Sequence, residues 1–335
     1  GQPTGYATAL PLLLAVQDGF VTLDAAGSVT LGDVFDPTRI PFDTAKLGTS
    51  LALLEAAMPA GVGAFFDSYG PNSGLSFTNL NGDIVLSALK QPVAGATAEV
   101  TDSLFFKIPR NSGAFNFTSD GGDEGQAIAP ATLVATAFAG NIFLDDSLNL
   151  IPSANGTISL IAGQSISTSV AQGFGVPYPY LLAMLDGNDL SLRSLLGTAT
   201  PSSPPSALHA GDSTPVIIDA GADITGSFTL IKPALVEAGN DIVNVNLIGQ
   251  NNSSGDITSV IAGRDILARQ ITDSSGAIYN NSSTLQVYGP GSFLVQAGRN
   301  LGPFFTGDIS NSGGTGIESI GDGSNAGGRM PLKTY

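Results

Sequence analysis

A short pattern returns along this chain, and it constrains the fold more than any other feature of the sequence. Apolar residues precede Ala-Gly, one free position, a short polar residue and then Ile or Leu. A catalytic motif normally occurs once, whereas repeats at roughly 20–50 residues are typical of a solenoid, a propeller or an array. The copies are SLIAGQSIS (159–167), IIDAGADIT (217–225), LVEAGNDIV (235–243), SVIAGRDIL (259–267) and LVQAGRNLG (294–302).

The spacing of the pattern is uneven, which indicates coils of different length. Its glycine recurs at steps of 23, 58, 18, 24 and 35 residues, and weaker echoes surround Gly27 and Gly82. We expect the 58-residue step to hold two or three further turns with insertions. The glycines are Gly140, Gly163, Gly221, Gly239, Gly263 and Gly298.

The residue types of the pattern predict the corner of a parallel β-helix, in which coils stack at about 4.8 Å. Alanine fits a crowded corner, and glycine supplies the positive φ that a tight corner can require. The Asp or Asn two residues after the glycine can accept a hydrogen bond from the next backbone N–H, as in an Asx turn. Alternation in STLQVYG places Leu285 and Val287 inward and Thr284, Gln286 and Tyr288 outward.

The repeat divides one all-β fold into a less regular part and a regular part. Residues 1–129 match the pattern weakly, and we expect them to be β-rich and to continue the β-helix. Residues 130–335 carry the corner repeats. The sequence therefore predicts a long β-helix rather than two unrelated domains.

A few short helical or loop excursions interrupt the predicted coils. TSLALLEAAMPA (49–60) indicates a short helix. The main excursion is expected at about 176–206, where a Leu-rich stretch (178–197) suggests one or two helical turns. A Pro/Ser loop (198–206) follows it and should be extended and exposed.

Composition and charge exclude several classes of partner. The net charge of −16 would repel nucleic acid and anionic membranes, so we expect no nucleic-acid partner. The chain has no cysteine, and hence no disulfide framework or thiolate metal site. No segment reaches the roughly 18 apolar residues that a membrane helix needs. The chain opens on Gly1 without a signal-peptide pattern, which we interpret as an excerpt of a longer protein.

The ordered succession of these motifs resembles the filamentous haemagglutinin family of large bacterial exoproteins of the two-partner secretion type. The resemblance covers residues 130–335 and is much weaker over residues 1–129. It is carried by SLNLIPSANGTISLIAGQSI (147–166), ALHAGDSTPVIIDAGADI (207–224), VEAGNDIVNVNLIGQN (236–251), DITSVIAGRDI (256–266) and GPGSFLVQAGRNL (289–301).

The resemblance implies a right-handed parallel β-helix that is secreted from, or exposed on the surface of, a Gram-negative bacterium. Members of the family leave the cell through a dedicated outer-membrane partner transporter, and many are adhesins. The expected partners are therefore that transporter and host or bacterial surface glycans or proteins. Self-association into filaments is a further expectation.

The titratable residues give no strong catalytic constellation. The single histidine, His209, is expected to pack against a coil as a loop residue, and we assign it no catalytic role. Asp120, Asp123 and Glu124 form an acidic turn (119–125), which is either solvated or a structural calcium site; its spacing matches no standard calcium loop. Asp145 and Asp146 are adjacent in a strand-like run, so they point to opposite faces and make poor partners for acid–base catalysis.

Stacked coils would align charged residues at equivalent positions of the repeat. Arg264 and Arg299 share one such position, and Asp223, Asp241 and Asp265 share another. We interpret them as a corner ladder that satisfies backbone groups, with a catalytic cleft as the alternative. No catalytic, cofactor-binding or metal-binding residue is assigned, and no cofactor is expected.

The sequence therefore predicts a structural or adhesive segment of a secreted, filamentous cell-surface protein that attaches to surfaces, cells or glycans, and not an enzyme. The alternative is a carbohydrate-active β-helix enzyme, such as a polysaccharide lyase or a glycosidase, because this fold also hosts such chemistry. A third interpretation is a passive stalk that carries a toxin or binding tip elsewhere.

Overall fold

The chain folds as a parallel β-helix whose strands stack into two long sheets. Each sheet pairs strands that are distant in sequence, and every strand pair within the two sheets is parallel. The computed structural model describes residues 12–16, 19–35, 72–86, 127–144, 148–150, 153–168, 180–184, 209, 211–272, 276, 278–279, 281–307 and 316–321.

The smaller sheet forms one flat side of the rod, which we call the first face. It contains eight strands that stack in sequence order. They are β2 (Phe20–Ala25), β4 (Gly74–Asn79), β7 (Thr132–Ala137), β10 (Ile158–Ala162), β13 (Val216–Ala220), β15 (Ala234–Ala238), β17 (Ile257–Ala262) and β22 (Ser292–Ala297).

The larger sheet has 14 strands and covers the other two sides of each coil. The strands are β1 (Leu12–Ala15), β3 (Val29–Phe35), β5 (Ile84–Leu86), β6 (Ala127–Ala129), β8 (Ile142–Leu144), β9 (Leu148–Leu150), β11 (Ile166–Ser167), β12 (Leu181–Met184), β14 (Ile224–Leu230), β16 (Ile242–Gln250), β18 (Asp265–Leu267), β21 (Thr284–Tyr288), β23 (Asn300–Leu301) and β24 (Gly316–Gly321). The second face follows the corner after the first face and contains β5, β8, β11, β18, β23 and the starts of β3, β14 and β16. The third face leads back to the next coil and contains β6, β9, β12, β21, β24 and the ends of β14 and β16. A small antiparallel pair, β19 (Ile271–Thr272) and β20 (Ile278–Tyr279), lies outside both sheets.

Two long strands show how one coil passes from the second face to the third. The start of β14 pairs with β11, and its end pairs with β12. The bend lies at Gly226, where φ is +141°, and in β16 at Asn244, where φ is 54°. Glycine and, less readily, asparagine tolerate such positive φ values, so these residues let one strand serve two faces.

The core consists of straight rows of inward side chains, because parallel pairing without slippage stacks like positions of successive coils. The middle row of the first face is Leu23, Phe77, Ala135, Leu160, Ile218, Val236, Val260 and Val295. The row before the corner is almost entirely alanine: Ala25, Asn79, Ala137, Ala162, Ala220, Ala238, Ala262 and Ala297.

The burial of individual side chains confirms most, but not all, of the predicted inward positions. Ala162, Ala220, Ala238 and Ala262 are at most 3% exposed, as expected for a crowded corner. Ala297, which lies on the last described strand of the first face, is only partly buried. Leu285 and Val287 point inward as predicted, but Tyr288 is also buried rather than outward.

The pairing corrects the count of coils in the long step. Ala162 pairs directly with Ala220, so the interval that includes Gly163 to Gly221 is one coil and not several. Its extra length is inserted between strands that still stack in register.

The corner around Gly140 also differs from the prediction, because four residues separate Ala137 from Ile142 whereas three separate Ala162 from Ile166. Phe138, and not Gly140, therefore stands opposite Gly163.

The structure describes only a short part of the expected helical excursions, residues 180–184, and no helix is found there. Leu181–Met184 lies inside the Leu-rich stretch but forms strand β12, paired with β9 and β14. Parallel backbone pairing on both sides has overridden the local helical preference. The predicted helix at 49–60 and the loop at 198–206 lie outside the described residues.

The corner glycines lie at turns as predicted, but they do not have the positive φ that was predicted as the reason for glycine at these positions. Positive φ occurs at other glycines and not at Gly163, Gly221, Gly239, Gly263 or Gly298. Instead, a Cβ on each of these would overlap a backbone carbonyl oxygen of the preceding coil; for Gly263 this is the oxygen of Gly239. Each glycine N–H also donates to the corner alanine one coil earlier, as from Gly263 to Ala238 at 2.9 Å. Glycine is required here by close backbone approach.

We predict that Gly263→Val loosens the coils next to it without unfolding the whole rod. The new side chain would displace the carbonyl of Gly239, at a cost of about 1–3 kcal/mol for overpacking. Each coil contacts mainly its neighbours, so the damage should remain local. Hydrogen exchange should accelerate over about residues 235–300 and remain slow around Leu160.

A matched control is Gly255→Ala, because an added Cβ there meets only the Ser253 hydroxyl at 3.9 Å. That variant should exchange like the unmodified protein. Equal loss of protection along the whole chain in Gly263→Val would contradict the local model.

Candidate functional site

The corners are joined by a continuous hydrogen-bonded ladder of polar side chains, which we call the corner ladder. The residue just before the second face accepts a hydrogen bond from the backbone N–H of its counterpart one coil later, at 2.8–3.3 Å. The bond thus links coils and is not made within one Asx turn, as the sequence analysis expected. The members are Ser28, Asp83, Asn141, Ser165, Asp223, Asp241, Asp265 and Asn300.

Arginines neutralise the part of the ladder where aspartates follow one another. The Arg264 guanidinium donates to both oxygens of Asp241, at 3.1 and 2.9 Å. Arg299 makes the same two-point contact with Asp265. Arg269 donates to Asp241 at 2.9 Å and lies 3.7 Å from Asp265. The predicted equivalence of Arg264 and Arg299 is therefore a structural pairing, with each arginine bound to the aspartate one coil earlier.

These contacts hold the buried ladder carboxylates in their ionised form. The hydrogen bond from Arg299 is the main cause that lowers the pKa of Asp265 far below its usual value of 3.8. Burial acts to raise the pKa of Asp241, but hydrogen bonds from Arg264 and Arg269 outweigh it, and the net shift is downward. Asp265 also raises the pKa of Arg299. Carboxylates with lowered pKa values are poor proton donors near neutral pH, which disfavours acid–base catalysis here.

The lowered pKa of Asp265 predicts a loss of stability in acid. Its ionised form is favoured in the folded state, so the stabilisation is complete above the unfolded pKa of 3.8 and is lost as pH falls through the lower folded value. Thermal unfolding by circular dichroism between about pH 6 and pH 2.5 should show a falling midpoint. Asp265→Asn should lower the midpoint at about pH 6 and flatten its dependence on pH.

Asp24→Asn provides the control, since Asp24 lies on β2 and outside the ladder. It should retain the pH dependence of the unmodified protein. If Asp265→Asn and Asp24→Asn gave the same pH profile, the arginine-bound ladder would not be the source of acid sensitivity.

A second charged cluster is buried where the third face returns to the first. The Lys232 ammonium donates to Asp212 at 2.8 Å and to the carbonyl of Gly156 at 3.2 Å, and its side chain is 2% exposed. The Asp212 carboxylate is 20% exposed, and its other oxygen accepts from the N–H of Thr214 at 2.9 Å. Lys232 thus fastens the segment that enters β13 to turns of neighbouring coils.

His209 belongs to this cluster. It is 1% exposed, and its Nδ1 lies 3.5 Å from the Asp212 carboxylate. Burial acts to raise the pKa of Asp212, but the hydrogen bonds from Lys232 and Thr214 prevail and lower it. Both His209 and Lys232 are buried, and the cluster fixes the segment that enters β13 in place.

Removing the charge of Asp212 and removing the charge of Lys232 should lower the free energy of unfolding by different amounts. Asp212→Ala leaves the Lys232 ammonium buried beside one carbonyl, which should lower the free energy of unfolding by about 3–5 kcal/mol. Lys232→Met leaves a carboxylate that water already reaches, so the loss should be clearly smaller. Urea unfolding of the two variants measures the difference; equal losses would mean that burial of the lysine does not set the cost.

Other residues raised by the sequence analysis lie outside the part that the structure describes. These are the acidic turn with Asp120, Asp123 and Glu124, and the pair Asp145 and Asp146. Among the residues that are described, no group of three or more His, Asp or Glu side chains is placed to hold a metal ion. The described residues also include no helix that is long and apolar enough to cross a membrane.

The outer surface of the third face carries a polar patch, which we call the polar face. Ser227, Asn246 and Thr284 are paired in one row across three strands. In the neighbouring row, Gln286 stands opposite Glu318 and donates to it at 2.5 Å. Thr229 and the apolar Ile248 precede Gln286 in that row, and all seven side chains are partly exposed. Stacked hydroxyl and amide groups at strand spacing present donors and acceptors along a flat surface.

Sequence reasoning missed the buried Lys232–Asp212 pair and the third arginine, Arg269. Neither lies in the repeat, and Arg269 reaches the ladder from the loop that follows β18. The one available signal was the rarity of lysine and arginine, which number 12 in 335 residues. Each basic residue in so acidic a chain is a candidate partner for a carboxylate.

No protein-family model, no curated protein and no solved structure gives a significant match to this chain. The resemblance to filamentous haemagglutinins therefore stays a prediction, which rests on the quoted motifs.

Proposed function

We propose that this chain is a structural and adhesive segment of a secreted bacterial cell-surface protein, and that its polar face binds glycans. The rod supplies a long, stiff support, because each coil is fixed to the next by backbone pairing, the corner ladder and the stacked core. The polar face supplies ligand chemistry on the outside of that support. This surface is the observation that carries the proposal.

The chemistry of the polar face suits sugars. Asn246 offers both a donor and an acceptor, and Thr284 and Ser227 offer hydroxyls that can serve as either. Successive coils place these groups about 4.8 Å apart in a row, so an extended oligosaccharide can meet several of them at once. A flat, rigid array loses little conformational entropy on binding.

A carbohydrate-active enzyme is the second candidate, since the same surface chemistry would hold a substrate. Such an enzyme needs a proton donor and a base or nucleophile on one exposed face. The arginine-bound aspartates of the ladder do not fit that role, because their ionised form is stabilised. Binding without turnover is therefore the function we favour.

The cellular setting belongs to the same proposal and rests on the resemblance. We place the chain on, or released from, the surface of a Gram-negative bacterium after export through an outer-membrane partner transporter. Host or bacterial glycans are the proposed ligands. The lack of cysteine and the net charge of −16 are compatible with this extracellular role.

A glycan array probed with the purified chain tests the proposal. We expect binding to a restricted set of oligosaccharides and no release of new reducing ends or unsaturated sugars. The double variant Asn246→Ala and Thr284→Ala should weaken binding by about five- to 150-fold, because each lost hydrogen-bonding group contributes about 0.5–1.5 kcal/mol.

The matched control is the double variant Thr78→Ala and Thr136→Ala, which removes outward hydroxyls from the first face. Its glycan binding should equal that of the unmodified chain. Unchanged binding after loss of Asn246 and Thr284 would contradict the proposed surface, and release of sugar products would favour the enzyme.

A further inference from the structure

The outer surface of the first face contains two carboxylates that stand directly opposite each other. Asp219 on β13 is paired with Glu237 on β15, in parallel strands that lie about 4.8 Å apart. Like charges in such a pair are destabilising. Within the part of the chain that the structure describes, neither carboxylate is in an ion pair with a lysine or arginine.

Aliphatic side chains enclose this pair on the outside of the sheet. Ile161 stands next to Asp219 in the same row, and Ile261 stands next to Glu237. In the adjacent outward row, Ile217 is paired with Leu235. Ile161 is 39% exposed, and the others are partly exposed. We call the six residues the acidic–apolar patch: Ile161, Ile217, Asp219, Leu235, Glu237 and Ile261.

The patch is local and is not a general property of this sheet. In the first coils the same two outward rows carry mostly hydroxyl side chains, namely Thr22, Ser76, Thr78 and Thr136, together with Asp24 and Val134. Hydroxyl side chains suit an outward sheet surface that faces water, whereas exposed aliphatic groups in a patch mark contact sites. A sequence that places like charges among partly exposed aliphatic groups departs from two local rules together, as sequences do at functional sites.

We infer that the acidic–apolar patch docks a protein segment that presents an arginine side chain between apolar side chains. The guanidinium carries its donors in a wide planar fork and can bridge Asp219 and Glu237 at once. Flanking apolar side chains of the segment would cover Ile161, Ile261 and their neighbours. Binding would bring a counter-charge to the two carboxylates, so the site is complementary to a cation.

Charge decides between the classes of occupant. The two carboxylates add to a chain whose net charge is already −16, which disfavours acidic glycans, nucleic acid and anionic lipid at this surface. A neutral sugar would leave the carboxylate pair without a counter-charge. The patch also lies on a different face from the polar face, so its role does not depend on glycan binding.

The test uses fluorescent ten-residue peptides that alternate valine with serine and carry arginine, glutamine or glutamate at one central position. Fluorescence anisotropy should show saturable binding of the arginine peptide, at least about tenfold tighter than either other peptide and weakened by salt. Equal binding of the three peptides, or no saturable binding of the arginine peptide, would overturn the inference.

The decisive variant is Asp219→Asn with Glu237→Gln. It should abolish the preference for the arginine peptide, and its melting temperature should rise because the repulsion is removed. A rise in melting temperature together with lost binding separates docking from misfolding. Undiminished arginine binding, or a lower melting temperature, would contradict the assignment.

Two further measurements distinguish this surface from its alternatives. Asp24→Asn, on the same sheet but away from the patch, should bind the arginine peptide normally. A calcium titration should leave the melting temperature of the unmodified chain unchanged. If calcium raised it and the double variant abolished that rise, the patch would be a metal site and the docking inference would be wrong.

Discussion

The close approach of successive corners is the constraint on which the rest of the rod depends. Where Gly263 passes over the carbonyl of Gly239, no side chain fits between the two backbones. That contact lets corner N–H groups pair with the coil below, so the parallel ladder of the sheets continues through the bend. Backbone groups in a bend would otherwise need water or side chains as partners. The small corner allows the alanine row and the aliphatic rows behind it to stack in register.

The corner ladder shows how the chain handles the electrostatic consequence of stacking identical positions. A ladder position needs only an acceptor oxygen, and Ser, Asn and Asp all supply one. Asp83 has neutral neighbours in the ladder, Ser28 and Asn141. Asp223, Asp241 and Asp265 follow one another, however, and the repulsion between the buried Asp241 and Asp265 would be strong. The three arginines among the described residues, Arg264, Arg269 and Arg299, all bind these aspartates, so a scarce residue type is placed where carboxylates accumulate.

Carboxylates also meet on the outer surface of the first face, in Asp219 and Glu237. In the ladder, each close pair of carboxylates has an arginine from the chain itself. At Asp219 and Glu237, no such partner is found among the residues described. A rigid β-helix can tolerate the resulting strain because stability comes from many coils. Its faces therefore present different side chains: hydroxyl and amide groups on the third, carboxylates among aliphatic groups on the first.

The sequence alone determined the kind of fold and the identity of the corner, because a repeat with alternating apolar positions can bury its inward face only by stacking on copies of itself. It also placed Arg264 and Arg299 in equivalent positions. Tertiary structure decided the register across the long insertions: Ala162 pairs with Ala220 although the two are 58 positions apart in the sequence, since loop closure depends only weakly on loop length. It decided that crowding and not positive φ requires glycine at the corners, and it brought Lys232 to Asp212. Such contacts join residues that no periodic pattern relates, so only the packed coils could bring them together.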